Sequence, residues 1–229
     1  MSISLGPAEI AAFWLTLKLA LSTTIILMLI CIPFAWWLAK SKSWFAMIIE
    51  SIVALPIVLP PTVLGFYLLI AFSPQTLLGE QYLAITGQQL AFSFYGILFA
   101  SLIYSLPFAI QPLQATFSQL DTRLLETAHS LGAKPLDAFI SIVLPICKNG
   151  IISAALLCFA HTVGEFGVIL MIGGNIPGET QVLSIALFDA VESLQYEKAH
   201  MMAAGLLVFS MVILIVMNIL KRGQLRATD

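Results

Sequence analysis

Few side chains in this 229-residue chain could do chemistry, and their spacing restricts what that chemistry can be. His161 and Glu165 stand four residues apart in one apolar run, where a helix would set them on the same face as a pair. Lys18 is the single basic residue of another apolar run. An ionisable group at such depth is expensive unless it meets a partner or water, so Glu165 reads as lining a path or locking an interface. The other reading open to it is a carboxylate near the outer end of a shorter span. Cys31, Cys147 and Cys158 are odd in number and lack metal-ligand spacing, so they are expected to pack and no metal site is expected. His129 and His200 fall at interfaces, which leaves His161 alone at depth and too little for haem ligation. No Gly-x-x-x-x-Gly-Lys-Ser/Thr stretch occurs, so no nucleotide is expected on this chain, and no catalytic residue is assigned.

The elements that hold these groups follow from composition. With 60% hydrophobic and 10% charged residues, the chain is expected to be an all-α integral membrane protein. Five runs approach or exceed the roughly 20 apolar residues needed to cross a bilayer: 10–39, 48–72, 92–114, 146–172 and 201–220. Backbone amides in hydrocarbon must be satisfied internally, so these runs predict helices in one bundle spanning residues 1–229. If they alternate, Lys40, Lys42, Arg123, Lys134, Lys148, Lys221, Arg222 and Arg226 fall on one side. That side is predicted to be the cytoplasm, placing the N-terminus outside and the C-terminus inside. Residues 1–9 carry no basic stretch, so the first span is expected to be retained.

The long polar interruption is residues 121–145. Leu124, Leu125, Ala128 and Leu131 predict one stripe of a short helix, with Arg123, Glu126 and His129 facing elsewhere. Asp121 is placed to cap its start, and Gly132 to close it in a left-handed conformation. Pro135 then opens a second helix, which Pro145 is expected to stop. Elsewhere, Pro56, Pro60 and Pro61 remove donors from the second span, marking either a packed kink or a path wall that includes Thr62. Past the fourth span, Gly173 to Thr180 is rich in turn formers and contains Asn175; with the short helix expected over 183–191 it forms a candidate outer gate.

The order Glu126, Ala128, Gly132, Ile142, Leu144, Pro145 resembles the cytoplasmic signature of ATP-binding-cassette importer permeases, with Thr127 where that family has alanine. Leu55 to Gly65, Gly164-Glu165-Phe166-Gly167 and Asn175 to Thr180 look like the molybdate-type permeases in particular. The resemblance implies a type I importer permease of about five spans with a cytoplasmic coupling helix, and not an enzyme. It further implies a homodimer in the bacterial inner membrane, two ATPase subunits that hold ATP and Mg, and a periplasmic oxyanion-binding protein. In that assembly, Glu126 to Gly132 would dock on the ATPase. Pro60, Pro61, Thr62, Gly164, Glu165, Gly167 and Asn175 would be candidates for the path or its gate. Sulfate and tungstate are alternative cargoes. A secondary transporter fits less well, because the broken second span has no matching repeat. Lipid is expected around the bundle, and nucleic acid is not a partner.

Overall fold

The computed structural model describes residues 6–225, with side chains through residue 220, so the side chains of Lys221, Arg222 and Arg226 lie outside the described residues. The chain runs as α1 (Pro7–Lys40), α2 (Trp44–Val58), α3 (Pro61–Ala71), α4 (Leu77–Thr86), α5 (Phe94–Ser118), α6 (Thr122–Ser130), α7 (Pro135–Ala138), a π turn (Phe139–Val143), α8 (Leu144–Gly164), α9 (Gly167–Gly173), α10 (Leu183–Glu192) and α11 (Tyr196–Leu225). No strand occurs among the described residues.

Four continuous helical stretches are long and apolar enough to cross a membrane: α1, α5, Pro135–Gly164 and Tyr196–Leu220. The expected second span differs. It is divided into α2 and α3, which meet at 110° and together would make a fifth crossing. The cause is local, because a residue that precedes proline is pushed out of the helical region. Leu59 precedes Pro60 and Pro60 precedes Pro61, and both hold ψ at 135°. Two consecutive extended residues turn the chain instead of merely bending it.

Pro145 also departs from expectation. It does not end a helix, since Pro135–Gly164 runs through it without interruption. The preceding turn is widened into a π conformation in which the Leu144 amide bonds to the Phe139 carbonyl. A π turn carries an extra residue, which eases the clash a proline ring would otherwise make with the carbonyl one turn back. The fourth span is displaced from the expected 146–172: it begins earlier, at Pro135, and ends at Gly164, after which Glu165 is extended at ψ 132°.

Helix α5 is the central post, packed by α1, α2, α8 and α9, while α3 lies on α9 and α11 on α8 and α10. One buried cluster joins α1, α5 and α8 through Leu27, Cys31, Leu113, Phe117, Val143 and Cys158. A second joins Leu19, Ile97, Val168, Ile172 and Ile185 toward the other end. The three cysteines are buried and unbridged, as packing residues would be. Trp14, Leu21, Ile25 and Leu29 of α1, and Leu207, Met211 and Leu214 of α11, are exposed and apolar, which suits a hydrocarbon surround.

One tie closes the bundle across the chain. Helix α10 has Val182 at its N-cap, a residue with no side-chain acceptor. The buried Thr16 hydroxyl of α1 supplies it, accepting from the Leu183 amide at 2.8 Å and donating to the Ala12 carbonyl at 2.8 Å. Thr16→Val keeps the shape and removes the acceptor, leaving a buried amide unpaired. We expect a loss of about 1–3 kcal/mol, measured as a lower thermal midpoint of the purified protein in detergent. An unchanged midpoint would show that water takes over the bond.

Candidate functional site

The first part of the interruption between α5 and α8, residues 121–133, is built as its residues predict. Asp121 Oδ1 accepts from the Arg123 amide at 2.9 Å and starts α6. At the other end the Ala133 amide bonds to the Ala128 carbonyl at 3.0 Å, and the Gly132 amide to the His129 carbonyl at 3.0 Å. That paired closure needs a left-handed residue, and Gly132 has φ +88°. The apolar stripe divides in two. Ala128 is buried and Leu125 packs against the α1–α5–α8 cluster, while Leu124 faces outward. Leu131 is 84% exposed and Leu136 67%, so the glycine turn and the start of α7 each carry one large aliphatic side chain into the open. Glu126 is exposed beside them.

Only Gln119, Leu120 and Asp121 separate α6 from α5, and only residues 131–134 separate it from α7. The signature residues Ile142, Leu144 and Pro145 belong to the π turn and the first turn of α8. Only these short connections stand between a displacement of α6 and two of the long helices. π turns inside α-helices are frequent at functional positions, and this one lies where such a displacement would enter α8.

The second candidate region lies at the far end of α8, and the fold brings part of it together. A Cβ on Gly167 would come within 2.8 Å of Pro61 Cβ, so the glycine lets the start of α9 close against the proline break. Gly65 of α3 likewise meets Met171, whose Cβ would be 2.7 Å from an added methyl. Pro60 caps α3 and Thr62 is exposed in its first turn. Gly164 is exposed, with nothing within 4 Å of where its Cβ would stand. Asn175 opens the exposed stretch 175–179, where its Oδ1 accepts from Gln181 Nε2 at 2.7 Å.

Glu165 does not pair with His161, although their spacing allows it. The helix ends between them, and His161 bonds instead to Ser105. The Glu165 residue is 4% exposed, both carboxyl oxygens lack a partner among the described residues, and its backbone carbonyl accepts from Ser184 Oγ at 2.6 Å. The main chain here is tied, while the carboxyl group makes no hydrogen bond among the described residues. Glu165→Gln is isosteric and is expected to keep at least half of wild-type transport, assayed as uptake into vesicles. Complete loss would show that the charge itself is required.

Two residues escaped the sequence reading. Thr180 is fully buried, donates to the Gly173 carbonyl at 2.6 Å and accepts from the Ile176 amide at 3.2 Å, pinning the candidate gate loop to the end of α9. Ser105 bridges α5 to His161 and Thr162. For Ser105 the one available signal is a serine inside an apolar run, which is common and unspecific, and Thr180 is only one polar residue of a turn-rich stretch.

The geometry defines a polytopic helical membrane subunit whose two long helices are joined by a capped, outward-facing apolar turn. Sequence comparison agrees: the family described as binding-protein-dependent transport system inner membrane component matches residues 31–226. The chain belongs to that family. It is 48% identical over 210 residues to the molybdenum transport system permease protein ModB of Azotobacter vinelandii, covering 92% of this chain and 93% of that protein. It is 31% identical over 220 residues to the sulfate transport system permease protein CysT of Synechococcus elongatus, covering 96% and 79%. Among solved structures, a chain of the MetNI methionine ABC transporter in inward-facing conformations has a TM-score of 0.69 at 15% identity, with 94% and 95% covered. A chain of a bacterial alginate ABC transporter, bound to its periplasmic protein, has a TM-score of 0.73 at 18% identity, with 98% and 81% covered. At these identities the two structures establish the fold.

Proposed function

We propose that this chain is the membrane-spanning permease subunit of an ATP-driven molybdate importer of the bacterial inner membrane. The observation that carries the cargo is the identity of 48% to a molybdenum permease along nearly the full length of both chains, against 31% for the sulfate relative. Sulfate and tungstate remain the alternatives. Two copies of the chain, treated as one permease domain over residues 1–229, assemble with two ATPase subunits that bind ATP and Mg, and with a periplasmic protein that delivers the oxyanion. The basic residues on one side support a cytoplasmic C-terminus and an external N-terminus.

The mechanism is alternating access. ATP draws the ATPases together, and Leu131, Leu136 and Glu126 give them a partly apolar surface on α6 and its turn. Because α6 is linked closely at both ends, its movement rotates α5 and α8. The contact of Gly167 with Pro61 then carries that rotation to α3 through α9. Ile142, Leu144 and Pro145 accommodate the stroke at the π turn, and the loop around Asn175 closes the outer end. The chain supplies motion and a path, while hydrolysis belongs to the ATPase.

Co-expression with the adjacent ATPase and binding-protein genes, reconstitution into liposomes and measurement of labelled oxyanion uptake test the reading. ATP-dependent molybdate accumulation, out-competed by tungstate more readily than by sulfate, is expected. Uptake of sulfate in preference would reassign the cargo, and uptake without ATP or the ATPase would overturn the class.

A further inference from the structure

Within the apolar wall formed by α5 and α8, one polar group is held in a fixed orientation with an unused nitrogen. His161 lies in the last turn of α8, its ring stacked on Phe108 at 3.7 Å and 21°, with Tyr104 5.0 Å away on a tilted plane. Its Nδ1 is 3.0 Å from Ser105 Oγ, which is 3.0 Å from Thr162 Oγ1, which in turn donates to the Cys158 carbonyl at 3.0 Å. If all three bonds are made together, their direction is fixed. A carbonyl only accepts, so the Thr162 proton is used there; Ser105 must then donate to Thr162, and His161 must donate from Nδ1 to Ser105. The neutral ring is thereby held with Nε2 bare, and Nε2 has no bond among the described residues.

The surroundings of that nitrogen fit an aqueous path better than lipid. Tyr104, Phe108 and Gln111 follow at i, i+4 and i+7 on one stripe of α5, and Gln111 is exposed although it is well inside a spanning helix. A primary amide facing hydrocarbon would lose its hydrogen bonds to water. Gly164, one turn beyond His161 on α8, has open space where a side chain would be.

We propose that His161 is the residue of each protomer that contacts the oxyanion in transit. The proposal rests on the oxyanion-import reading and adds the ligand that reading lacks. With the path empty, the ring is neutral and no charge is stranded in the wall. The tetrahedral oxyanion and one proton enter together from bulk solution; the proton adds to the Nε2 lone pair, so that Nε2–H donates to an anion oxygen and no hydroxide is left behind. When the anion leaves, the proton returns to water, so the cycle is balanced. The C-terminal end of α8, with its outward carbonyls, favours the transient imidazolium. Of the titratable groups around it, Tyr104 of α5 packs against the ring, Cys158 lies one turn earlier on α8, and Glu165 follows the end of α8. No ion pair to the ring occurs among the described residues, so the anion is its counter-charge.

Two near-isosteric variants separate the anchor from the ligand. His161→Asn puts an amide donor where Nδ1 stood and removes the Nε2 position, while His161→Gln puts a donor where Nε2 stood. Both would be measured as the full complex in liposomes with saturating binding protein, reading labelled molybdate moved per ATP hydrolysed. A hydrogen bond to a charged group predicts a loss of at least about tenfold for His161→Asn, with His161→Gln within about threefold of wild type. ATPase stimulation by the binding protein is expected to be unchanged in both. His161→Asn moving as much molybdate per ATP as wild type would overturn the assignment, as would equal collapse of transport and ATPase in both variants, which marks a purely structural histidine. Wild type that hydrolyses ATP but carries no oxyanion would overturn the import reading itself, and this assignment with it.

Discussion

Gly132→Val is expected to insert and assemble normally yet move less than about a tenth of the cargo per ATP, because a β-branched residue resists the positive φ that closes α6. The observed φ is +88°, and no atom lies within 4 Å of where a Cβ would stand. The cost is therefore conformational, about 1–2 kcal/mol for an L-residue held in the left-handed region. That is too little to unfold the bundle. It is enough to unravel the paired closure at Ala128 and His129 and to swing Leu131 away from its outward position. Gly132→Asn is the control, since asparagine tolerates positive φ and should retain most coupling. Uptake and ATPase activity measured on the same vesicles decide the matter; a valine variant with normal uptake per ATP would remove the turn from the mechanism.

Gly150→Leu is expected to prevent stable folding rather than coupling. Gly150 lies where α8 crosses α5, and an added Cβ would overlap the side chain of Thr116. Thr116 cannot readily move aside, because its hydroxyl is tied to the Pro112 carbonyl at 2.8 Å. Close helix approach through a small residue is a common packing device in membranes, and filling it separates the seam on which Leu113, Phe117 and Cys147 depend. Overpacking of this kind predicts a loss of about 3 kcal/mol, visible as aggregation in size-exclusion chromatography and a lowered thermal midpoint. Thr116→Ala in the same chain should restore part of it. A leucine variant as stable as wild type would mean that α5 and α8 are not locked at this crossing.

The contrast between these two glycines shows what was legible in the sequence. Gly132 could be read because its role is set by neighbours a few residues away: Asp121 starts the helix, the apolar residues give its period, and glycine ends it. Gly150 could not, since its reason is Thr116, an α5 residue far away in sequence. The same division explains the errors. Four of the five predicted spans coincide substantially with long helices because apolar length is a local property. The proline break was located, but whether Leu55 to Thr62 bends or turns depends on two successive pre-proline residues both becoming extended. Pro145 reads as a stop because proline lacks a donor, yet a π turn one step earlier absorbs it. Helix α4 carried its own signals, Thr76 as N-cap and Gly87 at φ +70°, but its ten mixed residues lack the apolar density of the spans. The Ser105–His161–Thr162 chain has no local trace, because hydroxyls 57 residues apart in sequence meet only in the folded bundle.

The bond from Leu183 to Thr16 links residues 167 positions apart. During synthesis α1 leaves the ribosome well before α10, so the partner of its hydroxyl is made only after the intervening helices. The opening helix must therefore wait with its acceptor unclaimed until α10 arrives. Nascent chains halted before position 183 would lack this clasp, whereas those extended past α10 could close it. Shortening the protein from its beginning past residue 16 would leave the late-arriving segment without its fastening. The order of biogenesis is thus written into one threonine.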